Sequence, residues 1–450
     1  MGHHAVGDLG ARVTRYDVAI VGLGPTGAVL ANLCGLHGLR VVVFEQSLDP
    51  YPQPRACHLD AEVARVLQQC GFGHALHDLL TVSAGMEYVD AGGRRLFTYE
   101  GFAREPLLGW HEDYVFVQPE LDALVRSGLG RFAHVHVHLG AAAPALDDLL
   151  QLANFVVAAD GASSPVRESL GVGLVDLDYD EPWLVIDVML RAGASQPELP
   201  SIIQQVCDVN RLATFVPSHG AHRRWEFILH GDEHPDPWEL LAPWSVTPRN
   251  ADLVRSARYQ FHALVADRWR GGPQGRVLLA GDAAHQMPPF MGQGMCSGVR
   301  DAANVAWKLA EVIAGAPSAL LDTYEAERRP HVEAVTAMSI EAGRLLGELA
   351  HDVAAGTELR VPPGAARSQR LWSRLPPLDL GGDYPIGHQV PQPRAADGMF
   401  DDLLGVDWAW IAADASFEAL DGHRVVVEPA AAMGCRAVLV RPDRYVAAFA

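Results

Sequence analysis

Three closely spaced glycines near the start of the chain constrain its fold more than any other feature. Residues 17–21 form an apolar run rich in β-branched side chains, which predicts a buried strand. Gly22, Gly24 and Gly27 follow it directly, and residues 28–37 are typical of a helix. Glycines at this spacing allow a tight turn, close approach of a pyrophosphate and close helix–strand packing. The pattern therefore predicts dinucleotide binding at a helix N-terminus, and the alternative is a glycine turn in a core hairpin.

An acidic residue ends the second predicted strand, residues 40–45. Glu45 follows the glycines at about the 20-residue distance at which a carboxylate accepts a hydrogen bond from a ribose hydroxyl. A negative charge at this position disfavours a 2′-phosphate. The adenosine of FAD or NAD therefore fits this βαβ unit better than that of NADP.

Composition excludes several classes of protein. Of the 450 residues, 49% are hydrophobic and 20% charged, which is typical of a globular chain, and the net charge is −20. This acidity argues against a nucleic-acid partner and against stable association with anionic membranes. The six cysteines form no C-x-x-C pair and predict no metal site, and the N-terminus lacks an apolar signal core. We expect a reduced, cytoplasmic protein.

Two further predicted strands end in an aspartate–glycine turn. Asp160 follows the apolar run 154–159, and Gly281 and Asp282 follow the run 276–280. Because ligands of α/β proteins bind at the carboxyl ends of the strands, both carboxylates are candidates for cofactor contacts. Taken alone, the turn at Asp160 is more typical of an ordinary Asp-Gly loop than of a cofactor site. The loop 288–295 then opens a helix whose N-terminal amides could face an electron-rich ring.

The order of these three segments resembles the class A FAD-dependent aromatic monooxygenases related to para-hydroxybenzoate hydroxylase. Within that family, the run Gly-Asp-Ala-Ala-His-Gln-Met-Pro-Pro-Phe-Met-Gly-Gln-Gly-Met-Cys-Ser-Gly at 281–298 resembles the 3-(3-hydroxyphenyl)propionate hydroxylase branch. The stretches 180–184, 222–227 and 259–263 also resemble segments of that branch. The resemblance covers residues 15–345 and is more specific for the family than for the substrate.

The resemblance implies roles for individual residues. The three glycines would bind the FAD pyrophosphate and Glu45 the adenosine ribose. Pro288 and the loop 292–295 would flank the isoalloxazine ring, and Arg224 would lie on the sheet near it. Our hypothesis is that Arg224 or a nearby arginine pairs with a substrate carboxylate. The other implied cofactor contacts are Arg55, Gln118, Asp160, Arg167, Gly281, Asp282, Gly292, Gly294 and Met295.

The fold expected from this reading is α/β, with a Rossmann-like FAD-binding domain interrupted by a mixed-sheet substrate domain. We predict the FAD-binding domain at 1–173 and 271–350, and the substrate domain at 174–270. A linker and a small C-terminal region, thioredoxin-like by resemblance, would occupy 351–450. A homodimer is suggested only by analogy.

The activity implied is hydroxylation of a phenol ortho to its hydroxyl group. NADH or NADPH would reduce FAD, and O2 would then give a flavin hydroperoxide that delivers the oxygen atom. The leading substrate is 3-(3-hydroxyphenyl)propionate, converted to 2,3-dihydroxyphenylpropionate. The alternatives are a polyketide or resorcinol-like phenol, a flavin oxidoreductase of another class, and a flavin-binding protein without turnover.

Overall fold

The glycine motif lies at the carboxyl end of a central strand in a six-stranded sheet. The computed structural model describes residues 16–99, 107–195, 197–360, 376–395, 398–419 and 421–450. The strand order of this sheet is Arg270–Gly271, Val277–Leu279, Ala153–Ala158, Tyr16–Val21, Val41–Glu45 and Val135–Leu139. All neighbouring pairs are parallel except the first. The central strands are mostly apolar, as is typical of a parallel sheet that is covered on both faces.

The register of this sheet brings three distant segments together. Val21 is paired with Ala158, and Ala158 with Leu279. The residues that follow these strands therefore lie side by side at the carboxyl edge of the sheet. They are the glycine motif, the Asp160 turn and the Gly281–Asp282 turn, as the sequence predicted.

Helices pack against the sheet, and two of them, Gln293–Ile313 and Asp322–Ala355, are long. The helix after the glycine motif runs from Pro25 to Leu36 and packs against the helix Gln293–Ile313. The helix Asp322–Ala355 follows. The shorter helices are Ala61–Gln69, Gly73–Leu79, Gln118–Ser127, Leu146–Leu152, Pro165–Ser169, Pro237–Leu241 and Asp401–Leu404. A small sheet, ordered His58–Asp60, Asp113–Val115 and Thr81–Val82, flanks the first domain.

A second, eight-stranded sheet forms the predicted substrate domain. Its order is His285–Gln286, Ala251–Ala266, Leu174–Leu190, His222–Ile228, Ala213–Val216, Ile203–Cys207, Met86–Asp90 and Arg95–Tyr99. It is mixed, because only Ile203–Cys207 and Met86–Asp90 are parallel. Two of its strands, residues 86–99, come from the segment that we assigned to the FAD-binding domain. The pairing of these strands is long-range, and periodicity cannot reveal it.

The two faces of the eight-stranded sheet differ. On the outer face Ile186, Phe215, Trp225 and Phe227 pack with the aromatic side chains that follow the helix Pro237–Leu241. On the inner face Trp183 and Tyr88 pack against the helix Asp322–Ala355. The inner face also carries buried charged groups, and these lie toward the first domain.

The C-terminal region forms its own small sheet, ordered Arg424–Val427, Ala409–Ala412, Ala437–Val440 and Val446–Phe449. A two-stranded ribbon, Arg394–Ala395 with Gly398–Met399, precedes it. In the four-stranded sheet, the first pair of strands is parallel and the other two pairs are antiparallel. The thioredoxin-like assignment stays a prediction.

A buried ion pair between Arg65 and Asp401, at 2.6 Å, joins the C-terminal region to the first domain. Within the described ranges no helix is long and apolar enough to cross a membrane.

Candidate active site

The three glycines of the motif form a tight turn, and the surroundings of each one explain why a glycine is needed there. A Cβ atom on Gly22, at φ +94°, would lie 2.3 Å from the carbonyl oxygen of Ala159, and one on Gly27 would lie 2.1 Å from that of Gly22. Both glycines therefore serve the packing of strand and helix. A Cβ atom on Gly24 would meet nothing within 4 Å, so the space in front of this residue is open. That open space at the N-terminus of the helix Pro25–Leu36 suits a phosphate group.

Glu45 is tied to the glycine motif by a direct hydrogen bond. Its Oε2 accepts a hydrogen bond from the backbone N–H of Leu23 at 2.8 Å, and its Oε1 accepts one from Ser47 at 2.9 Å. Each carboxylate oxygen can accept a further hydrogen bond, so a ribose hydroxyl could still be bound. Arg126 donates to the carbonyl oxygen of Leu23 and steadies the same turn.

Two carboxyl groups face the space between the turns at the sheet edge. Asp160 accepts a hydrogen bond from Val166 N–H through Oδ2, while its Oδ1 is buried without a partner among the described residues. Burial raises the pKa of Asp160. The side chain of Asp282 opens to solvent, yet the surrounding protein desolvates it enough to raise its pKa as well.

The turn carrying Asp282 is fixed from two sides. Arg167 donates to the carbonyl oxygen of Ala283 at 3.1 Å. A Cβ atom on Gly281, at φ +62°, would lie 2.6 Å from the hydroxyl oxygen of Thr26. Thr26 fills the space between Gly281 and Gly298, where a Cβ atom would come within 2.2 Å of the same oxygen. Arg167 therefore positions a cofactor-facing turn in this structure.

The segment Pro54-Arg55-Ala56 is held by two side chains. Gln118 accepts hydrogen bonds from the N–H groups of Arg55 and Ala56, at 2.9 and 2.7 Å. Arg224 donates to the carbonyl oxygens of Pro54 and Arg55. The Arg55 side chain is exposed, and its guanidinium lies over the ring of Tyr51 at 4.3 Å. The positive charge of Arg55 also acts on Asp282, so this segment lies beside the same cleft.

The Arg224 side chain, for which we hypothesised a substrate contact, is surrounded by partners from the protein itself. Its guanidinium is 2% exposed and lies 2.8 Å from Asp187, besides its two bonds to backbone carbonyls. These partners engage four of its five N–H donors. Arg224 therefore positions the segment 54–56, and its direct contact with a substrate carboxylate stays a prediction. The signal that was missing from the sequence is the partnership with Asp187.

The loop 288–295 carries the other predicted flavin contacts. The carbonyl oxygen of Pro288 accepts a hydrogen bond from Ser339 at 2.8 Å. A Cβ atom on Gly292, at φ +63°, would lie 2.6 Å from His58 Nδ1. His58 itself lies 2.5 Å from Asp113. Gly294 and Met295 lie in the first turn of the helix Gln293–Ile313, where the backbone N–H groups have no partner within the helix.

Asp301 organises this region, although the sequence suggested no role for it. It is fully buried and accepts hydrogen bonds from Gly281 N–H at 3.0 Å, His285 at 2.6 Å and Arg328 at 2.9 Å. Burial alone would raise its pKa, but the charges of His285 and Arg328 and their hydrogen bonds lower it. His285 therefore points away from the cleft and supports the Gly281 turn.

The residues at the cleft fit FAD. The open space at Gly24 suits a pyrophosphate, the unpartnered Asp160 Oδ1 can accept a hydrogen bond, and Glu45 lies where a ribose would be bound. The segment 54–56 and the loop 288–295 border the space in which a ring system would lie. The roles of individual residues remain predictions, because the structure shows their positions alone.

Comparison with known proteins defines the class. The chain matches the model of the FAD binding domain family over residues 15–148 and 151–339, and it belongs to that family. A probable NADH-specific resorcinol 4-hydroxylase of Rhodococcus jostii strain RHA1 is 35% identical over 434 residues, which are 90% of this chain and 80% of the relative. A 3-(3-hydroxy-phenyl)propionate/3-hydroxycinnamic acid hydroxylase of Mycolicibacterium smegmatis is 36% identical over 439 residues, 87% and 76% of the two chains.

Solved structures agree. The anhydrotetracycline hydroxylase OxyS of Streptomyces rimosus is 25% identical and superimposes with a TM-score of 0.72 over 97% of this chain and 96% of its own. Aklavinone-11 hydroxylase, solved with FAD and aklavinone, has a TM-score of 0.71 at 22% identity, with 97% and 95% covered, and it supports the fold alone. The chain is thus an FAD-dependent aromatic monooxygenase that uses NAD(P)H, as the sequence resemblance implied.

Proposed function

We propose that this protein hydroxylates a small phenol ortho to its hydroxyl group, with NADH or NADPH and O2 as co-substrates. The observation that carries the proposal is that the open space at Gly24 and the turns of Asp160 and Asp282 meet at one end of the sheet, with the segment 54–56 bonded to the inner face of the eight-stranded sheet. Bound FAD would supply the redox chemistry and the activation of O2.

The protein's own contribution is positioning and exclusion of water. Phe290 in the loop packs edge-on against Trp183 and Tyr179 of the eight-stranded sheet, with ring centroids 5.4 and 5.9 Å apart. Together with Tyr259 and Phe261 they give an aromatic region between the loop and the sheet. An aromatic, water-poor region holds a phenol ring and limits the loss of reactive oxygen species to solvent.

Two substrates are supported by relatives. Most of the similar hydroxylases act, by their names, on 3-(3-hydroxyphenyl)propionate, and one acts on resorcinol. The first substrate carries a carboxylate, and its product would be 2,3-dihydroxyphenylpropionate. On the inner face of the sheet, however, both buried arginines, Arg224 and Arg255, are paired with Asp187. This pairing favours an uncharged, resorcinol-like phenol.

The experiment is a comparison of the two substrates with the holoenzyme. NADH oxidation is followed with no phenol, with resorcinol and with 3-(3-hydroxyphenyl)propionate, and the products are identified. Stimulation with a matching hydroxylated product supports the proposal, and the larger kcat/KM identifies the substrate class. An FAD-loaded protein that no small phenol stimulates would contradict it.

A further inference from the structure

A buried carboxyl group, Glu226, lies on the inner face of the eight-stranded sheet and accepts no hydrogen bond from the residues that the structure describes. It stands two residues after Arg224 on the strand His222–Ile228, so both side chains project from the same face. The neighbouring residues of that strand, Trp225 and Phe227, belong to the apolar core on the outer face. Glu226 therefore faces the side where Arg224 contacts the segment 54–56.

Its surroundings leave the carboxyl group available. The residue is 9% exposed, and Arg224 Nη1, the nearest cation, is 3.9 Å away, which is beyond hydrogen-bond distance. Both Arg224 and Arg255 are turned to Asp187, at 2.8 and 3.0 Å. The Glu226 side chain is 11% exposed and no described residue donates a hydrogen bond to it, so a donor from outside the chain can reach its carboxyl oxygens.

Arg224 places the Glu226 carboxyl group near the segment 54–56, because Arg224 Nη1 lies 3.9 Å from Glu226 and also donates to the carbonyl oxygen of Arg55. The charges of Arg224, Glu226, Asp187 and His58 all act on the thiol of Cys57, which directly follows the segment 54–56. Burial raises the pKa of Glu226, and the Asp187 charge adds to this, while the Arg224 and Arg255 charges oppose it. The group thus lies between the sheet and the proposed flavin-facing segment.

We propose that Glu226 accepts a hydrogen bond from a ring hydroxyl of the substrate and selects uncharged hydroxyaromatic compounds. This inference rests on the proposed function and names its substrate class. A carboxylate repels a second carboxylate and accepts an O–H donor. Polarisation of the phenolic O–H also raises the electron density of the ring carbon ortho to it, where the oxygen atom is added.

The test measures binding rather than turnover. Holoenzyme is titrated with resorcinol and with 1,3-dimethoxybenzene, which lacks O–H donors, and the visible flavin spectrum reports binding. The variants are Glu226→Gln and Glu226→Leu. The matched control is Glu87→Gln, a partly buried carboxyl group that bonds Gln204 on the outer face of the same sheet.

We expect the Leu variant to bind resorcinol about tenfold or more weakly, since hydrogen bonds to charged groups are worth at least that factor. The Gln variant should fall between it and the wild type. Binding of 1,3-dimethoxybenzene should not weaken in either variant, and the control should match the wild type for both ligands.

Two results would overturn the inference. One is resorcinol binding within threefold of the wild type in the Leu variant with full FAD content. The other is an equal loss of both ligands, which would indicate a structural role. A wild type that binds resorcinol through Glu226 but forms no hydroxylated product would contradict the proposed function and leave this inference standing.

Discussion

Arg224 and Gln118 hold the same three residues through complementary backbone groups. Arg224 donates to the carbonyl oxygens of Pro54 and Arg55, and Gln118 accepts from the N–H groups of Arg55 and Ala56. One side chain comes from the eight-stranded sheet and the other from the helix Gln118–Ser127. The segment beside the cleft is therefore positioned jointly by both parts of the molecule.

Arg224→Ala should act mainly on stability and FAD retention. The change leaves Asp187 with one fewer cation and frees two carbonyl oxygens, and breaking a buried ion pair costs about 3–5 kcal/mol. Urea unfolding and the FAD content after gel filtration measure both effects. Arg223→Ala is the control, because Arg223 bonds only nearby carbonyl oxygens at the end of its own strand. A selective rise in KM for an anionic substrate, with normal stability and FAD content, would instead restore the carboxylate hypothesis.

Gly24→Ala and Gly27→Ala should separate cofactor binding from folding. A methyl group at Gly24 enters open space, so the protein should fold normally but bind FAD at least about tenfold more weakly, a loss of about 1.4 kcal/mol. A methyl group at Gly27 would meet the Gly22 carbonyl oxygen at 2.1 Å and should lower the thermal midpoint of the apoprotein. Calorimetry and flavin fluorescence titration distinguish the two. Equal thermal losses in both variants would mean that Gly24 has a packing role.

Acid should loosen the attachment of the C-terminal region. Asp401 lies between Arg65 and Arg444, at 2.6 and 3.0 Å. Burial would raise its pKa, but the two guanidinium charges and their hydrogen bonds lower it to about 2. A depressed folded-state pKa gives stability that is complete above about pH 5 and is lost as the pH falls toward 2, here about 2–3 kcal/mol.

The free energy of unfolding as a function of pH tests this attachment. Asp401→Asn should lower stability at neutral pH and make the decline between about pH 5 and 2 shallower. Asp383→Asn, at an exposed position of the same C-terminal region, is the control. Parallel curves for the wild type and the Asp401 variant would show that this carboxyl group does not contribute.

Local patterns predicted the cofactor half of the molecule well. The strands that precede Gly22, Asp160 and Gly281 formed where expected, because short apolar runs bounded by glycine are strong signals for buried parallel strands. Two helices begin earlier than predicted, at Pro25 and Gln293. In each case the helix begins at the glycine-containing turn, and glycines of its first turns pack closely against a neighbouring element instead of terminating the helix.

Long-range partnerships were not predictable. The assignment of residues 86–99 to the eight-stranded sheet depends on pairing with Ile203–Cys207. The roles of Asp301 and of the Asp187–Arg224 pair likewise depend on partners that lie far away in sequence. A single sequence shows which residues are polar, but not which of them already have a partner, and this decides whether Arg224 or Glu226 is free to bind a ligand.

The most direct test of monooxygenase activity is the mass of the product formed from resorcinol, or from another phenol that stimulates NADH oxidation, under isotopically heavy dioxygen. The account predicts that each product molecule carries one heavy oxygen atom and that product formation matches NADH consumption. NADH consumption that yields only hydrogen peroxide, or a product whose added oxygen comes from water, would contradict it.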